Sequence, residues 1–294
     1  MIQHIDPHRF NNEYKPVALP SDNSPVLCFS GRSVLIKTVP VPEGKIDNIR
    51  HTEGLSAASL LDAEFPIRSM FGQDDDIVFA FTMDDTDYYI NLSEKEHIIP
   101  GYKYTDLRNL RGCVENHISL ILYTGIHLFQ WYDVNRYCGK CSAPLMHSPS
   151  ERALCCPVCG KTFYPQIMPA VIVGVINNGR LLATKYRTGF DHYALIAGFC
   201  EIGESLEETV AREVMEESGL KVKNIRYYGS QPWGIAQDLL AGFYCDVDGD
   251  SNIKMDTNEL KLAEWKRPEE IVLQPDFLSL TNEMMLKFKN GEIH

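Results

Sequence analysis

Hydrophobic positions in the first part of the chain predict strands followed by a helix. Short apolar runs at 33–39, 76–83 and 87–92 are separated by turn residues and are typical of β-strands. Apolar residues then recur at helical spacing over about 106–131. Residues 1–132 are therefore expected to form an N-terminal domain of mixed α/β structure.

The pattern after residue 168 predicts strands and helices in mixed order. Two apolar runs flank Asn177, Asn178 and Gly179, which favour a tight turn, so residues 169–186 are expected to form a β-hairpin. The later elements are a loop over 195–205, a helix after it, strands at 221–233 and 239–248, and a last helix near 278–291. Such mixed order is typical of an α+β or α/β sandwich.

The limits of the helix after this loop can be predicted from its flanking residues. Ser205 followed by Glu208 forms a capping box, so the helix is expected to begin at Leu206. Gly219 suits the left-handed residue that commonly ends a helix. We therefore expect a helix of about four turns between these positions.

Three glutamates border the apolar stripe of this helix. At about 100° per residue the stripe consists of Leu206, Val210 and Val214. Glu213, Glu216 and Glu217 border or overlap that stripe, whereas Glu207 and Glu208 point away from it. A purely solvated acidic face would lie opposite the stripe. The three carboxylates are therefore expected to be partly buried.

Partly buried carboxylates at this spacing repel one another unless a cation compensates. Arg212 alone cannot neutralise three of them. A divalent ion that prefers oxygen ligands, Mg²⁺ or Mn²⁺, could do so. An ordinary charged helix is the alternative interpretation of the same spacing.

Five of the nine cysteines lie within residues 138–159. Two C-x2-C pairs are formed by Cys138 and Cys141 and by Cys156 and Cys159. Two such pairs can place four thiolates around one Zn²⁺, and a site without an open position is structural. Cys155 competes with Cys156 but would spoil the spacing, and Gly160 suits the positive φ of such turns. Accidental cysteines or a disulfide are the alternative.

Composition and charge narrow the classes of function. The 294 residues carry 28 basic and 40 acidic side chains, a net charge of −12, whereas broad nucleic-acid-binding surfaces are basic. The polar start of the chain argues against a secretory signal, and the most apolar run, 118–132, is too short to span a membrane. We expect a cytoplasmic protein of about two domains, or one domain with an appendage.

A wider window around the glutamates resembles the box of the Nudix hydrolase family. The pattern G-x5-E-x7-R-E-U-x-E-E-x-G-U, where U is a bulky aliphatic residue, is matched by Gly198, Glu204, Arg212, Glu213, Val214, Glu216, Glu217, Gly219 and Leu220. The resemblance implies an α/β/α sandwich for the C-terminal domain. It also implies hydrolysis of a nucleoside diphosphate linked to another group, with metal held by glutamates of the helix.

The resemblance also implies roles for individual residues. The expected ligands of Mg²⁺ or Mn²⁺ in the box are Glu213, Glu216 and Glu217. Arg212 would orient the neighbouring carboxylates, and Glu204 would support them from outside the ligand shell. Such families often recruit another glutamate as ligand or base, and Glu259 is the candidate here. A plain surface glutamate is the alternative for Glu259.

Three further features resemble the NADH pyrophosphatase (NAD diphosphatase) subfamily. They are the four-cysteine ribbon, the linking segment 163–169 and the sequence Ser-Gln-Pro-Trp at 230–233, and the resemblance covers about 135–275. It implies a homodimer that cleaves NAD(H) to nicotinamide mononucleotide and AMP. Some members also remove NAD caps from RNA. The expected division is 1–132, a zinc ribbon at 133–167 and a Nudix domain at 168–294.

The resemblance places several residues at a dinucleotide pocket: Tyr164, Phe199, Ser230, Gln231, Trp233 and Asp238. Aromatic faces suit a nicotinamide or adenine ring, although Phe199 and Trp233 could instead be core residues. After Trp233 the subfamily continues Pro-Phe-Pro-x-Ser, whereas this chain has Gly-Ile-Ala-Gln-Asp at 234–238. A carboxylate at Asp238 is expected to make NADP a poorer substrate than NAD. The alternative is that the pocket is adapted to another dinucleotide.

Other functions remain open at the level of sequence. A Nudix enzyme could act on ADP-ribose, a dinucleoside polyphosphate or NAD-capped RNA. A catalytically silent ligand sensor is a rival of another class, but it could lose the glutamates that this chain keeps. A zinc-ribbon nucleic-acid-binding module conflicts with the net charge of −12.

Overall fold

The computed structural model describes residues 1–16, 18–41, 61–189 and 191–293. The chain divides into two compact units. The N-terminal unit consists of residues 3–166 and 234–237, and the C-terminal unit of residues 1–2, 167–233 and 238–294. The cysteine segment falls within the N-terminal unit, and its status as a separate domain stays a prediction.

Seven strands of the N-terminal unit form one sheet in the order β1-β5-β6-β2-β3-β4, with β7 also paired to β3. Their bounds are β1 Phe10–Asn11, β2 Val26–Ser30, β3 Ser33–Pro40, β4 Leu61–Glu64, β5 Ile77–Met83, β6 Thr86–Asn91 and β7 Lys103–Asp106. A 3₁₀ turn lies at Arg68–Met70. The three apolar runs near the start of the chain form β3, β5 and β6, so these predicted strands are confirmed.

The single helix predicted over 106–131 is wrong, because two helices occupy this region. They are α1, Leu107–Leu110, and α2, Asn116–Val134. Arg111 is extended and Gly112 has a φ of 69°, so the backbone leaves the helical conformation between them. The apolar periodicity continues across this break and therefore conceals it.

The cysteine segment ends in a small antiparallel sheet. Its strands are β8, Met146–His147, β9, Leu154–Cys155, and β10, Thr162–Phe163, with β9 in the centre. Cys155 lies opposite Met146 on one side and Thr162 on the other. The strands thus fix the second pair of cysteines directly after β9.

Six strands of the C-terminal unit form a mixed sheet in the order β14-β15-β11-β12-β16, with β13 paired to β11. Their bounds are β11 Met168–Asn177, β12 Arg180–Tyr186, β13 Ile196–Phe199, β14 Val222–Trp233, β15 Asp238–Val247 and β16 Leu260–Lys266. Strands β11 and β15 are parallel, and the remaining pairs are antiparallel. The hairpin predicted around Asn178 and Gly179 is confirmed, with positive φ at both residues.

Two helices cover opposite faces of this sheet, α3, Leu206–Ser218, and α4, Leu280–Lys289. A further 3₁₀ turn lies at Pro268–Glu270. One hydrophobic cluster joins β11 to α4 through Ala170, Ile172, Ile176, Leu280, Met284 and Phe288. The other joins β11 to α3 through Val171, Val173, Val175, Val210 and Val214. Since successive residues of a strand face opposite sides, the unit is an α/β/α sandwich, as expected.

The loop predicted over 195–205 is partly wrong, because it contains β13. This strand pairs antiparallel with β11, which places Ile196 opposite Val173 and Phe199 opposite Ala170. A run of four residues is too short to show a clear strand period, so the sequence pattern did not reveal it. None of the helices described here is long and apolar enough to cross a membrane.

Candidate active site

Helix α3 begins and ends where the sequence predicts. The Ser205 hydroxyl accepts a hydrogen bond from the Glu208 amide at 3.2 Å, and the Glu208 carboxylate accepts one from the Ser205 amide at 2.7 Å. Gly219 has a φ of 70° and donates its N–H to Met215 O at 2.9 Å. These caps satisfy end groups of the helix and fix its register against the sheet.

The carboxylates of α3 differ in burial. Glu213 is 9% exposed and Glu217 is 1% exposed, whereas Glu207 is exposed. The side chain of Glu216 is 59% exposed and lies at the rim. The predicted burial is therefore confirmed for Glu213 and Glu217. It is wrong for Glu216, because this residue lies at the outer border of the apolar stripe.

Arg212 connects the loop before α3 to two of its glutamates. Its Nε and Nη2 atoms donate to the two carboxylate oxygens of Glu204 at 2.6 and 2.9 Å. Its Nη1 donates to Glu213 at 2.7 Å and to Glu216 at 3.0 Å, and Nη2 also donates to Phe199 O at 2.8 Å. The bonds from Arg212 to Glu204 are the main cause that lowers the pKa of Glu204 to about 2. Such contacts are what an orienting role for Arg212 requires.

Strand β13 gives Glu213 the space that it occupies. A Cβ atom added at Gly198 would lie 2.0 Å from the carboxyl carbon of Glu213. The glycine of the motif is therefore needed for the close approach of this side chain rather than for a positive φ. Sequence reasoning missed the part played by β13, although the apolar run before Gly198 is its signal.

Glu217 is a buried carboxylate that forms no ion pair with the residues that the structure describes. Its Oε1 atom accepts a long hydrogen bond from the Ala197 amide at 3.4 Å. Its Oε2 atom is buried and has no hydrogen-bond partner among the described residues. Burial raises the pKa of Glu217 to about 8, and the negative charges of Glu259 and Glu213 contribute to this shift. In its ionised form, a carboxylate that is buried in this way needs a positively charged partner.

Glu259 lies in the turn directly before β16, where its backbone carbonyl accepts a hydrogen bond from the Arg187 amide at 2.8 Å. Its negative charge also contributes to raising the pKa of Glu213, for which burial is the main cause. The structure thus brings Glu259 close enough to act electrostatically on Glu213 and Glu217. Its role as a fourth ligand or base stays a prediction.

The donor set fits a hard divalent cation. Carboxylate oxygens are the ligands that Mg²⁺ and Mn²⁺ prefer, and the partnerless oxygen of Glu217 is available to such an ion. No three of these four glutamates place carboxylate oxygens within 4.8 Å of one another in this structure. Arg212 pairs with Glu213 and Glu216, so side chains would have to rotate for the glutamates to share one ion.

The four predicted cysteine ligands are gathered at one point of the N-terminal unit. The Sγ atoms of Cys138, Cys141, Cys156 and Cys159 all lie within 4.8 Å of one another. The Cys138–Cys159 and Cys141–Cys156 pairs of Sγ atoms are 3.6 and 3.4 Å apart. Sulfurs on one tetrahedral zinc are separated by about 3.8 Å, given bonds of about 2.3 Å. The cluster can therefore hold a zinc ion.

Both cysteine pairs lie on similar turns. The amide of Lys140 donates to Cys138 Sγ, and the amide of Cys159 donates to Cys156 Sγ, each at 3.4 Å. The latter bond is the main cause that lowers the pKa of Cys156 to about 6, which favours the thiolate that a metal needs. Gly160 has the predicted positive φ, 71°. Cys155 lies outside the cluster, with its Sγ 3.9 Å from Thr162 Oγ1.

Comparison with known proteins identifies the family. Residues 166–287 match the family model for the NUDIX domain. The chain is 41% identical over 175 residues to "NAD-capped RNA hydrolase NudC" of Klebsiella pneumoniae (strain 342), spanning 58% of this chain and 67% of that protein. This chain belongs to the Nudix hydrolase family.

A second relative supports the narrower grouping. This chain is also 39% identical over 183 residues to "NAD-capped RNA hydrolase NudC" of Shigella dysenteriae serotype 1 (strain Sd197), spanning 60% of this chain and 70% of that protein. The resemblance to the subfamily of NADH pyrophosphatases with a four-cysteine ribbon is thereby confirmed. In structure the chain is similar to a NUDIX hydrolase from Nitrosomonas europaea, with a TM-score of 0.47, 18% identity, and coverage of 53% of this chain and 92% of that one.

Two of the predicted pocket aromatics lie in the C-terminal unit of this Nudix hydrolase. Phe199 ends β13 and is 49% exposed, so its ring is free of the core. Trp233 ends β14 and packs partly against the cluster around α4. Tyr164 belongs to the N-terminal unit, where its hydroxyl donates to Glu151 Oε1 at 3.1 Å. The pocket roles of all three stay predictions.

Gln231 has a structural task in the Nudix domain. It is fully buried, and its amide nitrogen donates to Leu278 O at 2.6 Å while its amide oxygen accepts from the Leu280 amide at 2.6 Å. These bonds tie β14 to the start of α4, and the predicted contact of Gln231 with substrate stays a prediction. Ser230 is its neighbour on β14, opposite Ala241 of β15, and its proposed contact with substrate stays a prediction.

Asp238 is buried at the start of β15, opposite Trp233 on one neighbouring strand and Met168 on the other. Burial raises its pKa to about 6, and its Oδ1 atom has no hydrogen-bond partner in the described part of the chain. At neutral pH the site therefore holds a negative charge at an energetic cost.

The segment between Trp233 and Asp238 explains part of the departure from the subfamily pattern. A Cβ atom at Gly234 would lie 1.8 Å from the carbonyl oxygen of Tyr123 in α2. The side chain of Gln237, which has a φ of 61°, donates to Gln130 Oε1 at 2.9 Å. A proline could not take the place of Gly234 without moving this backbone.

Proposed function

We propose that this Nudix hydrolase cleaves the pyrophosphate bond of NADH and NAD, giving nicotinamide mononucleotide and AMP. The observation that carries the proposal is the buried carboxylate of Glu217, which has one partnerless oxygen and two acidic neighbours. Its place in a complete Nudix box supports a metal-dependent pyrophosphohydrolase rather than a silent sensor.

The chain's own residues supply the charge and the positions that this reaction needs. Glu213, Glu216, Glu217 and Glu259 would hold Mg²⁺ or Mn²⁺. When bound, such ions neutralise phosphate charge and lower the pKa of a bound water. Arg212 fixes Glu213 through a bond of 2.7 Å, and Glu204 in turn fixes the guanidinium through two bonds. This chain of contacts limits the freedom of the carboxylates before substrate arrives.

The names of the relatives support NAD as the dinucleotide whose diphosphate is cleaved. The NudC proteins are named for hydrolysis of NAD-capped RNA, and the bond at issue in an NAD cap is the same pyrophosphate. The exposed ring of Phe199 and the edge position of Trp233 offer surfaces on which a base can stack. These features support a dinucleotide, whether free or attached to RNA.

NAD-capped RNA is the second candidate substrate, and the names of the relatives favour it directly. The net charge of −12 argues against a broad RNA-binding surface. If capped RNA is the substrate, the protein would bind only the cap and a few nucleotides. We therefore place free NAD(H) first and the capped RNA second.

Two associated features belong to the same proposal. The four-cysteine cluster would bind one structural Zn²⁺, since four thiolates leave no open position. We also propose a homodimer in the cytoplasm, with residues 133–167 as a ribbon domain, by likeness to the subfamily. Zinc analysis and light scattering of purified protein test these two points.

Product analysis tests the proposed activity. Purified protein with Mg²⁺ or Mn²⁺ is incubated separately with NADH, NAD, ADP-ribose, diadenosine polyphosphates and NAD-capped RNA. We expect NADH and NAD to be cleaved to nicotinamide mononucleotide, in its reduced form from NADH, and AMP at the highest kcat/KM. Preference for capped RNA would favour the second candidate, and turnover of ADP-ribose alone would contradict both.

A further inference from the structure

A second cluster of metal-ligand side chains lies in the N-terminal unit. His8, Glu115 and His117 each place one ligand atom within 4.8 Å of the others. All three are partly buried, and none belongs to the Nudix box or to the cysteine cluster. His8 comes from the segment before β1, whereas Glu115 and His117 lie at the start of α2. The cluster therefore joins two segments that are far apart in sequence.

The spacing within the cluster suits a small four-coordinate ion. Glu115 Oε2 lies 3.3 Å from His117 Nδ1. Zinc binds nitrogen and oxygen at about 2.0–2.1 Å, so neighbouring ligand atoms of a tetrahedral site are about 3.3 Å apart. Two imidazoles and one carboxylate are a ligand set that zinc accepts, with one position left for water.

The Glu115 carboxylate does not cap the helix at whose N-terminus it lies. Glu115 is the N-cap residue of α2, but its side chain makes no capping hydrogen bond to the helix. An N-cap carboxylate usually accepts a hydrogen bond from a backbone N–H one turn into the helix. Here it is directed to His117, which leaves it available to an ion held between the two.

The Nδ1 atom of His8 is paired with a carboxylate, as is common for histidines that bind metals. His8 Nδ1 lies 2.5 Å from Asp84 Oδ2, and the second oxygen of Asp84 accepts from the Arg9 amide at 2.8 Å. Asp84 lies in the β5–β6 turn with a φ of 49°, and its own amide donates to Arg9 O at 3.0 Å. A ligating histidine commonly donates its second N–H to a carboxylate, which orients the ring. Because Nδ1 is paired with Asp84, Nε2 is the His8 atom that would bind an ion.

The two imidazole rings are stacked, with their centroids 3.8 Å apart and their planes at 24°. An imidazole binds a metal ion in the plane of its own ring, so the two rings must turn out of this stack for both to reach one ion. The carboxylates of Asp84 and Glu115, each next to one of the rings, supply negative charge that favours a divalent ion.

We propose that His8, Glu115 and His117 bind one divalent transition-metal ion of the Zn²⁺ class, with Asp84 orienting His8. The ion would fasten the segment before β1 to the start of α2. Its role would be structural, because the cluster lies apart in sequence and ligand set from the Nudix glutamates. The proposal does not depend on which dinucleotide the enzyme cleaves.

Zinc stoichiometry of the full-length protein tests this site. Protein that keeps the cysteine-bound zinc is dialysed against micromolar free Zn²⁺ with Mg²⁺ in large excess to occupy the glutamates, and bound zinc is counted by mass spectrometry. We expect one zinc more than the cysteine site accounts for. His8→Gln and His117→Gln should each lose that one equivalent, while His147→Gln, a change of an exposed histidine outside the cluster, should keep it.

Two results would overturn the proposal. One is a wild-type protein without the additional equivalent, and the other is loss of that equivalent in Glu216→Gln but not in the histidine variants. Thermal unfolding gives an independent measurement if one variant folds poorly. Added Zn²⁺ should raise the Tm of the wild-type protein and of His147→Gln, but leave the Tm of His8→Gln and of Glu115→Gln unchanged. An equal rise in all of them would count against the site.

Discussion

Glu213 lies directly over Gly198, so that a Cβ atom at position 198 would come within 2.0 Å of the Glu213 carboxyl carbon. The glycine belongs to β13 and the glutamate to α3, and Arg212 holds the same carboxylate at 2.7 Å. Two positions of the Nudix box that are far apart in sequence thus meet in one contact. This contact explains why the motif requires a glycine in a strand where φ is not positive.

We expect Gly198→Ala to reduce hydrolysis of NADH by about 100-fold, the size of effect that a displacement of about 1 Å can have. The new methyl group must push the flexible end of Glu213 away, and folding should be only mildly affected. The measurement is kcat with thermal unfolding beside it. Gly229→Ala is the matched control, because a Cβ atom there meets nothing within 4 Å. Equal activity of the two variants would contradict the role given to this contact.

Sequence alone predicted the elements whose signals are local. The capping box at Ser205 and the left-handed Gly219 set the limits of α3. The turn at Asn178 and the two cysteine pairs were equally local, because each depends on residues a few positions apart. The α/β/α layers followed from the order of strands and helices together with the resemblance.

Contacts between distant segments could not be predicted in the same way. The bond from Arg212 to the Phe199 carbonyl requires β13, which is too short to show a period. The buried bonds of Gln231 to residues 278 and 280 depend on where α4 meets the sheet. The break between α1 and α2 was hidden because apolar spacing continues through it, while the backbone at Gly112 does not.

Loss of one cysteine ligand should lower stability because zinc binding and folding are coupled. We expect Cys156→Ser to lose the zinc of the cysteine cluster and to lower the Tm clearly. Cys155→Ser is the matched control, since Cys155 is next to Cys156 in sequence but lies outside the cluster. Zinc content and thermal unfolding are measured for both. Similar zinc loss in the two variants would show that the ligand assignment is wrong.

Burial of Glu217 should make stability depend on pH when no divalent ion is present. Its pKa is raised from 4.5 to about 8 in the folded chain. The folded state therefore keeps a proton that the unfolded state loses, and this contribution to stability is full below about pH 4.5 and is lost as the pH rises through about 8. The slope is at most about 1.4 kcal/mol per pH unit. Urea unfolding of the wild-type protein and of Glu217→Gln at several pH values isolates the contribution of Glu217. An equal dependence of the unfolding free energy on pH in both would contradict a raised pKa of Glu217.

The charge of Asp238 should affect the choice between NAD and NADP. We expect Asp238→Ser to raise the ratio of NADP to NAD turnover, because a buried carboxylate would repel an additional phosphate. Asp238→Asn separates charge from shape, and it should raise the ratio as well if charge is the cause. The kcat/KM values for both substrates are compared. If both variants keep the wild-type ratio, Asp238 does not determine the choice between NAD and NADP.

The strongest test of the proposed reaction is the removal of one negative charge at a time from α3. Glu216→Gln and Glu217→Gln keep size and hydrogen bonding, and NADH hydrolysis should fall by orders of magnitude because charge neutralisation of the phosphates is a leading contribution in such sites. Without metal, folding of Glu217→Gln should be unharmed or slightly improved, since repulsion among Glu213, Glu217 and Glu259 decreases. Glu216→Gln removes repulsion of Glu213 but also the ion pair with Arg212, so its folding should change little. Glu207→Gln is the matched control, because this exposed residue of the same helix should leave turnover nearly intact. Wild-type turnover in both variants under saturating Mg²⁺ and Mn²⁺, or equal damage from Glu207→Gln, would refute a metal-dependent reaction at these carboxylates.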